Sequence, residues 1–345
     1  MKIHEKYLKR CIQLAKNGLG STSPNPMVGS VIVHNNNIIG EGWHTKAGKP
    51  HAEVNAIASV KDKQLLKEAT IYVSLEPCSH FGKTPPCSDL IIKEGIPNVV
   101  IGTVDPFSEV AGRGIKKLIE AGCNVTVGVL EDECNDLNSR FFTYHTQKRP
   151  YIILKWAQTK EGFLAPESKD EVAPVWISNT YAKQLVHKWR SIEDAILVGT
   201  NTVLADNPSL TTREWAGKNP TRIVLDKSLR IPTHTEIYNK DVKTIIITEK
   251  ETGNKNNIYF ENIDFTNNVA KQICSILYKH GIQSIIIEGG AQTLQTFINE
   301  NLWDEARVFT GNTIFEKGIK APHINKPFTQ QKQILDNQLH IYKNK

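Results

Sequence analysis

The sequence predicts an α/β protein with two domains, and three observations support this fold class. Runs of Ile and Val alternate with amphipathic segments along the whole chain, as strands alternate with helices in layered α/β domains. The alternation ends in a helical segment near residue 147 and restarts with an apolar run after Pro150. The 345 residues are enough for two hydrophobic cores. We therefore predict a first domain over 1–147 and a second over 148–345.

The first domain is predicted to open with a helix and a hairpin. Apolar side chains at a helical spacing predict a helix over 4–18, and Asn35-Asn36-Asn37 between two apolar runs predicts the hairpin turn. The later segments predict helix 51–61, strand 71–75, helix 88–95, strand 97–104, helix 112–122, strand 124–129 and helix 133–147. Because consecutive parallel strands require a crossover, this order predicts a largely parallel sheet after the hairpin.

The second domain is predicted from a similar alternation. Its segments predict strand 151–157, helix 179–190, strands 195–199, 222–226 and 244–248, helix 267–280, strand 284–288 and helix 291–300. Several strands are continuous Ile runs, such as Ile245-Ile246-Ile247, and such runs are typical of parallel strands that are buried on both faces.

Composition restricts the class of protein. Apolar residues make up 39% of the chain and charged residues 23%, which is typical of a globular protein. No run of about 18 apolar residues is present, so we expect no membrane span. The first ten residues carry charges throughout and lack the apolar core of a secretory signal, so we expect a cytoplasmic protein.

Charge and cysteine content bear on possible partners. Residues 1–147 contain 16 basic and 15 acidic residues, a net charge of +1, and residues 148–345 contain 26 and 21, a net charge of +5. This balance lacks the dense positive surface of a nucleic-acid-binding protein but permits an anionic small molecule. The six cysteines are scattered, which favours reduced thiols with one metal site over a disulfide framework.

Residues 51–87 contain the side chains expected of a catalytic zinc site. His51 begins a predicted helix, Cys78 follows a predicted strand, and Cys87 precedes the next helix. One imidazole and two thiolates give three protein ligands, and catalytic zinc sites keep the fourth tetrahedral position open. Glu53 shares the first helical turn with His51, which places it to act as an acid and base without ligating the metal.

Other interpretations of these residues remain open at this point. Taken singly, a His or Cys is more often a packing residue, and two neighbouring cysteines can be buried thiols. A zinc-stabilised binding module would need no carboxylate such as Glu53 and normally has four protein ligands. A nucleoside or nucleic-acid deaminase with a degenerate second domain would share His-x-Glu and Pro-Cys, but such deaminases separate the two cysteines by two residues, and this chain separates them by eight.

Motifs in both halves resemble one family, the bifunctional deaminase/reductases of riboflavin biosynthesis. The resemblance covers nearly the whole chain and includes the eight-residue gap between the cysteines. In the first half it rests on Pro24-Asn25-Pro26-x-Val28-Gly29, Gly42-Trp43-His44, His51-Ala52-Glu53 and Glu76-Pro77-Cys78-x-His80-x-Gly82-x-Thr84-Pro85-Pro86-Cys87. In the second half it rests on Lys155-x-Ala157, Trp176-Ile177, Gly199-x-x-Thr202-Val203-Leu204-Ala205-Asp206-Asn207-Pro208-x-Leu210-Thr211-x-Arg213 and Glu288-Gly289-Gly290.

The resemblance implies a fold, two reactions and two cofactors. The first domain would be a three-layer domain like cytidine deaminase, and the second would resemble dihydrofolate reductase. The substrate would be a diamino-hydroxypyrimidine that carries a phosphoribosylamino group. Zn²⁺ would serve its deamination, and NADPH would then reduce the ribosyl group to a ribityl chain. The family also implies a homo-oligomer formed through the reductase domain.

In the first domain, the resemblance implies a complete set of site residues. His51, Cys78 and Cys87 would hold the zinc, and Glu53 would be catalytic. The residues implied for substrate binding are Asn25, His44, His80 and Lys83. The long loop between the two cysteines places His80 and Lys83 beside the metal, and a lysine suits a phosphate as a point charge.

In the second domain, no Gly-x-Gly-x-x-Gly follows a strand, so the Rossmann fingerprint is absent. A Gly-Gly pair opens a predicted helix instead, where backbone N–H groups can approach phosphate. The resemblance implies cofactor contacts from Ala157, Trp176, Thr202, Asp206, Gly290, Ala291, Gln292, Thr293 and Leu294. It implies substrate contacts from Arg190, Leu210, Arg213 and Glu288. The chain departs from the family at Pro174 and Lys227, where serines are usual, and we expect Lys227 to pair with the cofactor's 2′-phosphate.

Overall fold

The computed structural model describes residues 2–79, 85–107 and 111–344 and divides into two compact units, Met1–Lys148 and Arg149–Lys345. Each unit is described separately. Within the described ranges, no helix combines the length and the apolar character that crossing a bilayer requires.

The first unit is built on a five-stranded sheet. Its helices are α1 Lys2–Ala15, α2 Ala52–Ser59, α3 Cys87–Lys93, α4 Arg113–Glu120, α5 Glu131–Leu137 and α6 Ser139–Gln147. Its strands are β1 Gly29–His34, β2 Asn37–Trp43, β3 Thr70–Val73, β4 Asn98–Ile101 and β5 Asn124–Val127. The order across the sheet is β2-β1-β3-β4-β5, with the hairpin β1–β2 antiparallel and β3, β4 and β5 parallel. The predicted hairpin and parallel sheet are confirmed.

Apolar clusters lie on both faces of this sheet and make three layers. Leu8 and Cys11 of α1 pack with Val31 and Tyr72 on one face. On the other face, side chains of α2, α3 and α4 pack against Ile32, Ile71 and Val99. Because neighbouring residues of a strand point to opposite faces, the alternation of Val31 and Ile32 between the two clusters fixes the register of β1.

The predicted helix 133–147 is two helices, and the break has a visible cause. Asn138 separates α5 from α6 and is 2% exposed. Its side-chain amide accepts from the Met27 backbone N–H at 2.8 Å and donates to the Met27 carbonyl at 2.9 Å. This pair of hydrogen bonds ties the end of the unit to the segment that leads into β1.

The second unit contains eleven strands among its described residues, and nine of them form one sheet. Its strands are β6 Tyr151–Thr159, β7 Phe163–Pro166, β8 Ala195–Gly199, β9 Thr221–Leu225, β10 Thr244–Thr248, β11 Ile258–Asn262, β12 Ser284–Glu288, β13 Glu305–Gly311, β14 Gly318–Lys320, β15 Gln330–Ile334 and β16 Asn337–Lys343. Its helices are α7 Thr180–Ile192, α8 Thr200–Asp206, α9 Val269–Lys279 and α10 Ala291–Asn299. The order across the sheet is β11-β10-β9-β8-β12-β6-β13-β16-β15, and β7 and β14 form a separate pair.

The central strands are buried on both faces, as predicted. Alternate residues of β12 belong to different clusters: Ile285 and Ile287 pack with α9 and α10, whereas Ile286 packs with Tyr151 and Trp189. In the large sheet, the seven neighbouring strands from β11 through β12 to β13 run parallel. Strands β16 and β15 continue the sheet in antiparallel orientation. The sequence did not predict β7, α8, β11 or the four strands after residue 304.

Candidate active sites

Three helix and strand ends bring the predicted zinc ligands together. His51 is the residue before α2, Cys87 is the first residue of α3, and Cys78 follows the end of β3. Strand β2 lies directly against α2, since a Cβ at Gly42 would lie 2.6 Å from the Ala52 carbonyl oxygen. This close approach fixes the start of the helix and therefore the direction of His51.

The spacing of the ligand atoms fits a tetrahedral zinc ion. His51 Nδ1 lies 3.6 Å from Cys78 Sγ and 3.3 Å from Cys87 Sγ. All three ligand atoms lie within 4.8 Å of one another. Zn–S and Zn–N bonds of about 2.3 Å and 2.0 Å at a tetrahedral angle require ligand atoms about 3.6 Å apart. The donor set and its spacing therefore match zinc with three protein ligands.

The two thiols lie within hydrogen-bonding reach of each other, and this contact shifts their pKa values in opposite directions. The contact with Cys87, together with the His51 hydrogen bond, lowers the pKa of Cys78 against the effect of burial. The same contact and burial raise the pKa of Cys87. A metal ion that displaces the thiol protons gains two thiolate ligands.

Glu53 lies beside the ligand cluster and is 3% exposed. Burial and the Cys78 thiolate raise the pKa of Glu53 to about 7. Its carboxyl group is within hydrogen-bonding reach of the Cys87 thiol. A carboxyl group with a pKa near neutrality can both accept and donate a proton at physiological pH.

The predicted substrate residues Asn25 and His44 lie in one hydrogen-bonded chain beside the zinc ligands. Asn25 Nδ2 is 3.1 Å from His44 Nε2, and His44 Nδ1 is 3.1 Å from the Pro50 carbonyl oxygen. The His44 ring meets the His51 ring edge-on at 5.4 Å. Burial lowers the pKa of His44, which favours the neutral form of the ring. His80 and Lys83 lie outside the described residues.

In the second unit, a cleft of about 1200 Å³ brings together most of the predicted reductase residues. It is lined by side chains of β6, β7, α7 and α8, by the segment 167–178, and by the end of β12. The predicted residues that line it are Ala157, Trp176, Arg190, Thr202, Asp206, Leu210, Arg213, Glu288, Gly290 and Ala291. Ligands of α/β sheets bind at the carboxyl ends of the strands, which is where this cleft lies.

Glu288 is held between two cations inside the cleft. Arg190 donates to it from Nη2 at 2.7 Å and from Nε at 3.3 Å, and the Lys155 ammonium lies 3.9 Å away. Burial by itself would raise the pKa of Glu288, but Arg190 and Lys155 outweigh it and lower the pKa to about 2. Burial lowers the pKa of Lys155, although Glu288 opposes this effect.

The two predicted arginines differ in their surroundings. The Arg190 guanidinium is already bound to Glu288 and to the Thr211 carbonyl oxygen. Arg213 contacts the hydroxyls of Ser209 and Thr211, and its backbone N–H donates to His187. Arg213 is therefore the more available of the two for an anionic ligand.

The Gly-Gly turn after β12 forms a narrow approach to the cleft. Gly289 and Gly290 adopt φ values of +92° and +70°. A Cβ at Gly289 would lie 3.2 Å from Thr202 Cγ2, and a Cβ at Gly290 would lie 3.4 Å from Thr293 Oγ1. The turn can therefore present backbone N–H groups at the start of α10 without a side chain in the way, which fits a cofactor phosphate.

Four predicted cofactor residues are not among the described residues that line the cleft. The Lys227 ammonium pairs with Glu249 at 3.3 Å, and the residue lies outside the described set that lines the cleft. The Leu294 side chain is fully buried in the core beneath α10, and its neighbours Gln292 and Thr293 also lie outside that set. A contact with the cofactor from Leu294 therefore has to come from its backbone.

Comparison with known proteins matches each unit to a known protein domain. Residues 1–103 match the family model described as the cytidine and deoxycytidylate deaminase zinc-binding region, and residues 150–321 match that of the RibD C-terminal domain. The riboflavin biosynthesis protein RibD of Aquifex aeolicus is 42% identical over 322 residues, which are 92% of this chain and 89% of that protein. The chain belongs to the RibD family. It therefore combines a zinc-binding deaminase domain with a reductase domain that uses NADPH, and both act on small molecules.

Solved RibD structures match nearly the full length of the chain. A diaminohydroxyphosphoribosylaminopyrimidine deaminase/5-amino-6-(5-phosphoribosylamino)uracil reductase from Thermotoga maritima is 37% identical with a TM-score of 0.88, and the match covers 99% of each chain. RibD of Acinetobacter baumannii, form 1, is 31% identical with a TM-score of 0.87 and the same coverage. The predicted family, its two activities and its fold class are thus confirmed.

The structure adds two RibD cleft residues for which no role was predicted. Lys155 faces Glu288 across neighbouring parallel strands, in register. Its signal was present, because Lys155 and Glu288 are the charged residues of two otherwise apolar runs. Lys169 forms an ion pair with Asp206, a predicted cofactor residue. No pattern in the sequence signals this contact, because residue 169 lies in a polar loop.

Proposed function

We propose that the first unit hydrolyses an amino group from a diamino-hydroxypyrimidine that carries a phosphoribosylamino group. We propose further that the second unit reduces the ribosyl group of the product to a ribityl chain. The observation that most directly supports deamination is the buried Glu53 carboxyl group, which lies beside three zinc ligands with tetrahedral spacing. The choice of substrate is supported by the similar Thermotoga maritima protein, which is named as a deaminase and reductase of such compounds.

In the deamination, the residues of the first unit bind the ring and move one proton. Zinc, when bound by His51, Cys78 and Cys87, supplies a Lewis acid that makes water nucleophilic at neutral pH. Glu53 accepts the proton of the attacking water at a carboxylate oxygen and delivers it to the departing ammonia. Asn25 and His44 orient the ring through the amide and the neutral imidazole. His80 and Lys83 are proposed to contact the substrate, Lys83 at the phosphate.

In the reduction, the residues of the second unit align two bound molecules. NADPH supplies the hydride. We propose that the start of α10, Ala157, Trp176, Thr202 and Asp206 hold the cofactor. Arg213 binds the substrate phosphate, because its guanidinium remains available in the cleft. Glu288, kept ionised and oriented by Arg190, accepts hydrogen bonds from the substrate beside Leu210.

Two assays on the purified full-length chain test these reactions separately. The pyrimidine phosphoribosyl substrate is supplied with NADPH, and ammonia release and NADPH oxidation are followed in parallel. We expect both signals, with ammonia first. A chain that releases ammonia but does not oxidise NADPH would refute the proposed reductase, and a chain that releases no ammonia after zinc loading would refute the proposed deaminase.

We also propose that the protein is cytoplasmic and forms a homo-oligomer through its second unit. Large apolar side chains on the surface of this unit support an interface, with Ile314 74% and Leu335 66% exposed. Sedimentation velocity of the full-length chain at micromolar concentration measures its mass directly. A monomer under these conditions would rule out the oligomer.

A further inference from the structure

Glu76 carries a buried carboxylate close to the zinc ligands. The proposed chemistry does not use this carboxylate. It lies two residues before Cys78 and is 4% exposed. A buried carboxylate is costly unless its oxygens accept hydrogen bonds, so its partners indicate what it does.

The Glu76 carboxylate accepts four hydrogen bonds from backbone N–H groups. Oε1 accepts from Gly114 at 2.9 Å and from Ile115 at 3.3 Å. Oε2 accepts from Gly112 at 2.9 Å and from Asp105 at 3.3 Å. Three of these donors lie at the start of α4, whose first turn has no side-chain cap of its own among the described residues. Glu76 therefore caps α4 from another part of the chain, where a negative charge is favourable.

The backbone on either side of Glu76 is held against the same region. A Cβ at Gly114 would lie 2.1 Å from the Pro77 carbonyl oxygen, so α4 begins in direct contact with the turn that leads to Cys78. The Glu76 backbone N–H donates to the Thr103 carbonyl oxygen at 2.9 Å. The turn Glu76–Cys78 is thus fixed both to the segment that follows β4 and to α4.

On its other side, Cys78 is fixed to α3. Its carbonyl oxygen accepts from the Ser88 backbone N–H at 3.2 Å and from Ser88 Oγ at 3.1 Å. The Cys87 backbone N–H lies 3.3 Å from Cys78 Sγ. The position of the Cys78 sulfur therefore depends on contacts with α3 and with α4. The contact with α4 runs through the four hydrogen bonds of the Glu76 carboxylate.

We propose that Glu76 is a positioning residue that holds Cys78 at the distance from His51 and Cys87 that zinc requires. The inference rests on the zinc site proposed above. Glutamine at position 76 would direct an NH₂ group at backbone donors and would lose two of the four hydrogen bonds. The turn would then shift, and Cys78 would move away from the other two ligands.

The test compares Glu76→Gln with Glu120→Gln in the full-length chain. Glu120 is also associated with α4, but its side chain is 65% exposed and pairs with Lys116, so its variant controls for the loss of one charge. Zinc affinity is measured by chelator competition, and the d–d absorption of the Co²⁺-loaded protein reports ligand geometry. We expect zinc affinity to fall by about ten- to a hundredfold in Glu76→Gln, the range for residues that orient metal ligands, and to stay unchanged in the control.

Thermal unfolding of zinc-free and zinc-loaded protein separates positioning from plain stabilisation. A capping role alone lowers both midpoints equally and leaves zinc affinity and the Co²⁺ spectrum unchanged, which would overturn the proposal. A positioning role reduces the gain in midpoint on zinc loading.

A second variant applies if Glu76→Gln does not fold. Glu76→Asp keeps the negative charge at the start of α4 but shortens the side chain by one methylene, so weaker zinc binding supports the proposal and wild-type affinity overturns it. A wild-type chain that binds no zinc would refute the zinc site itself, which is a different outcome.

Discussion

Substitution of Glu288 by glutamine should destabilise the second unit, apart from any effect on catalysis. Glu288 lies between Arg190 and Lys155, which both lower its pKa. Glutamine keeps the shape of the side chain but removes the charge. The two cations then face each other in the cleft without a counter-ion, and a buried unpaired charge is unfavourable.

The pKa gives the magnitude. A pKa lowered from 4.5 to about 2 corresponds to about 3 kcal/mol of stabilisation by the ionised carboxylate, net of the cost of its burial. In a unit of this size, each kcal/mol shifts the unfolding midpoint by about 2–4 °C, so we expect a decrease of about 6–12 °C at pH 7. Because the pKa is lowered in the folded state, this contribution is present above about pH 4.5 and is lost as the pH falls toward 2.

Tryptophan fluorescence during thermal unfolding is a suitable assay. The second unit contains five of the six tryptophans, so the signal reports mainly on it: Trp156, Trp176, Trp189, Trp215 and Trp303. Glu316→Gln, at an exposed position of the same unit, is the matched control. If Glu288→Gln unfolds like this control at pH 7, or keeps the wild-type loss of stability below pH 4.5, the reasoning fails.

Three further substitutions test individual residues. Glu53→Gln should bind zinc normally but lose deamination by at least about a hundredfold, with reduction of already deaminated substrate intact; normal ammonia release would contradict the role of Glu53. Arg213→Lys should raise the reductase KM for the phosphorylated substrate by about tenfold with little change in kcat, because lysine cannot grip a phosphate with two N–H groups, whereas Arg230→Lys should change neither. Lys227→Ala should weaken NADPH binding at low salt relative to Lys250→Ala, as measured by fluorescence titration; equal affinities would remove Lys227 from the cofactor site.

Much of the fold is predictable because its signals are local. The Asn35–Asn36 turn has positive φ at both residues, as the asparagine-rich sequence suggests, and the Ile runs of β10 and β12 are buried on both faces. The strands after residue 304 carry no such signal. β13 contains Glu305 and Arg307 within its buried run, and these charges are neutralised by each other and by Lys343 of β16. That compensation exists only once the strands have paired.

The same distinction applies to the sites. The zinc ligands are predictable because their spacing along the chain reflects chemistry that a short motif contains. Glu76 belongs to the same motif, but its role depends on α4, which is distant in sequence. The ion pair between Lys169 and Asp206 also depends on two segments that meet only in the folded unit.

The place of β6 in its sheet has a consequence for how the protein is made. β6 is the first strand of the second unit to leave the ribosome, yet its neighbours in the sheet are β12 and β13, which are more than 120 residues away. The first unit has its complete sheet by residue 127. During synthesis, Tyr151–Leu154 therefore stays without its partner strands long after the sheet of the deaminase unit is complete, so this apolar run needs protection from aggregation.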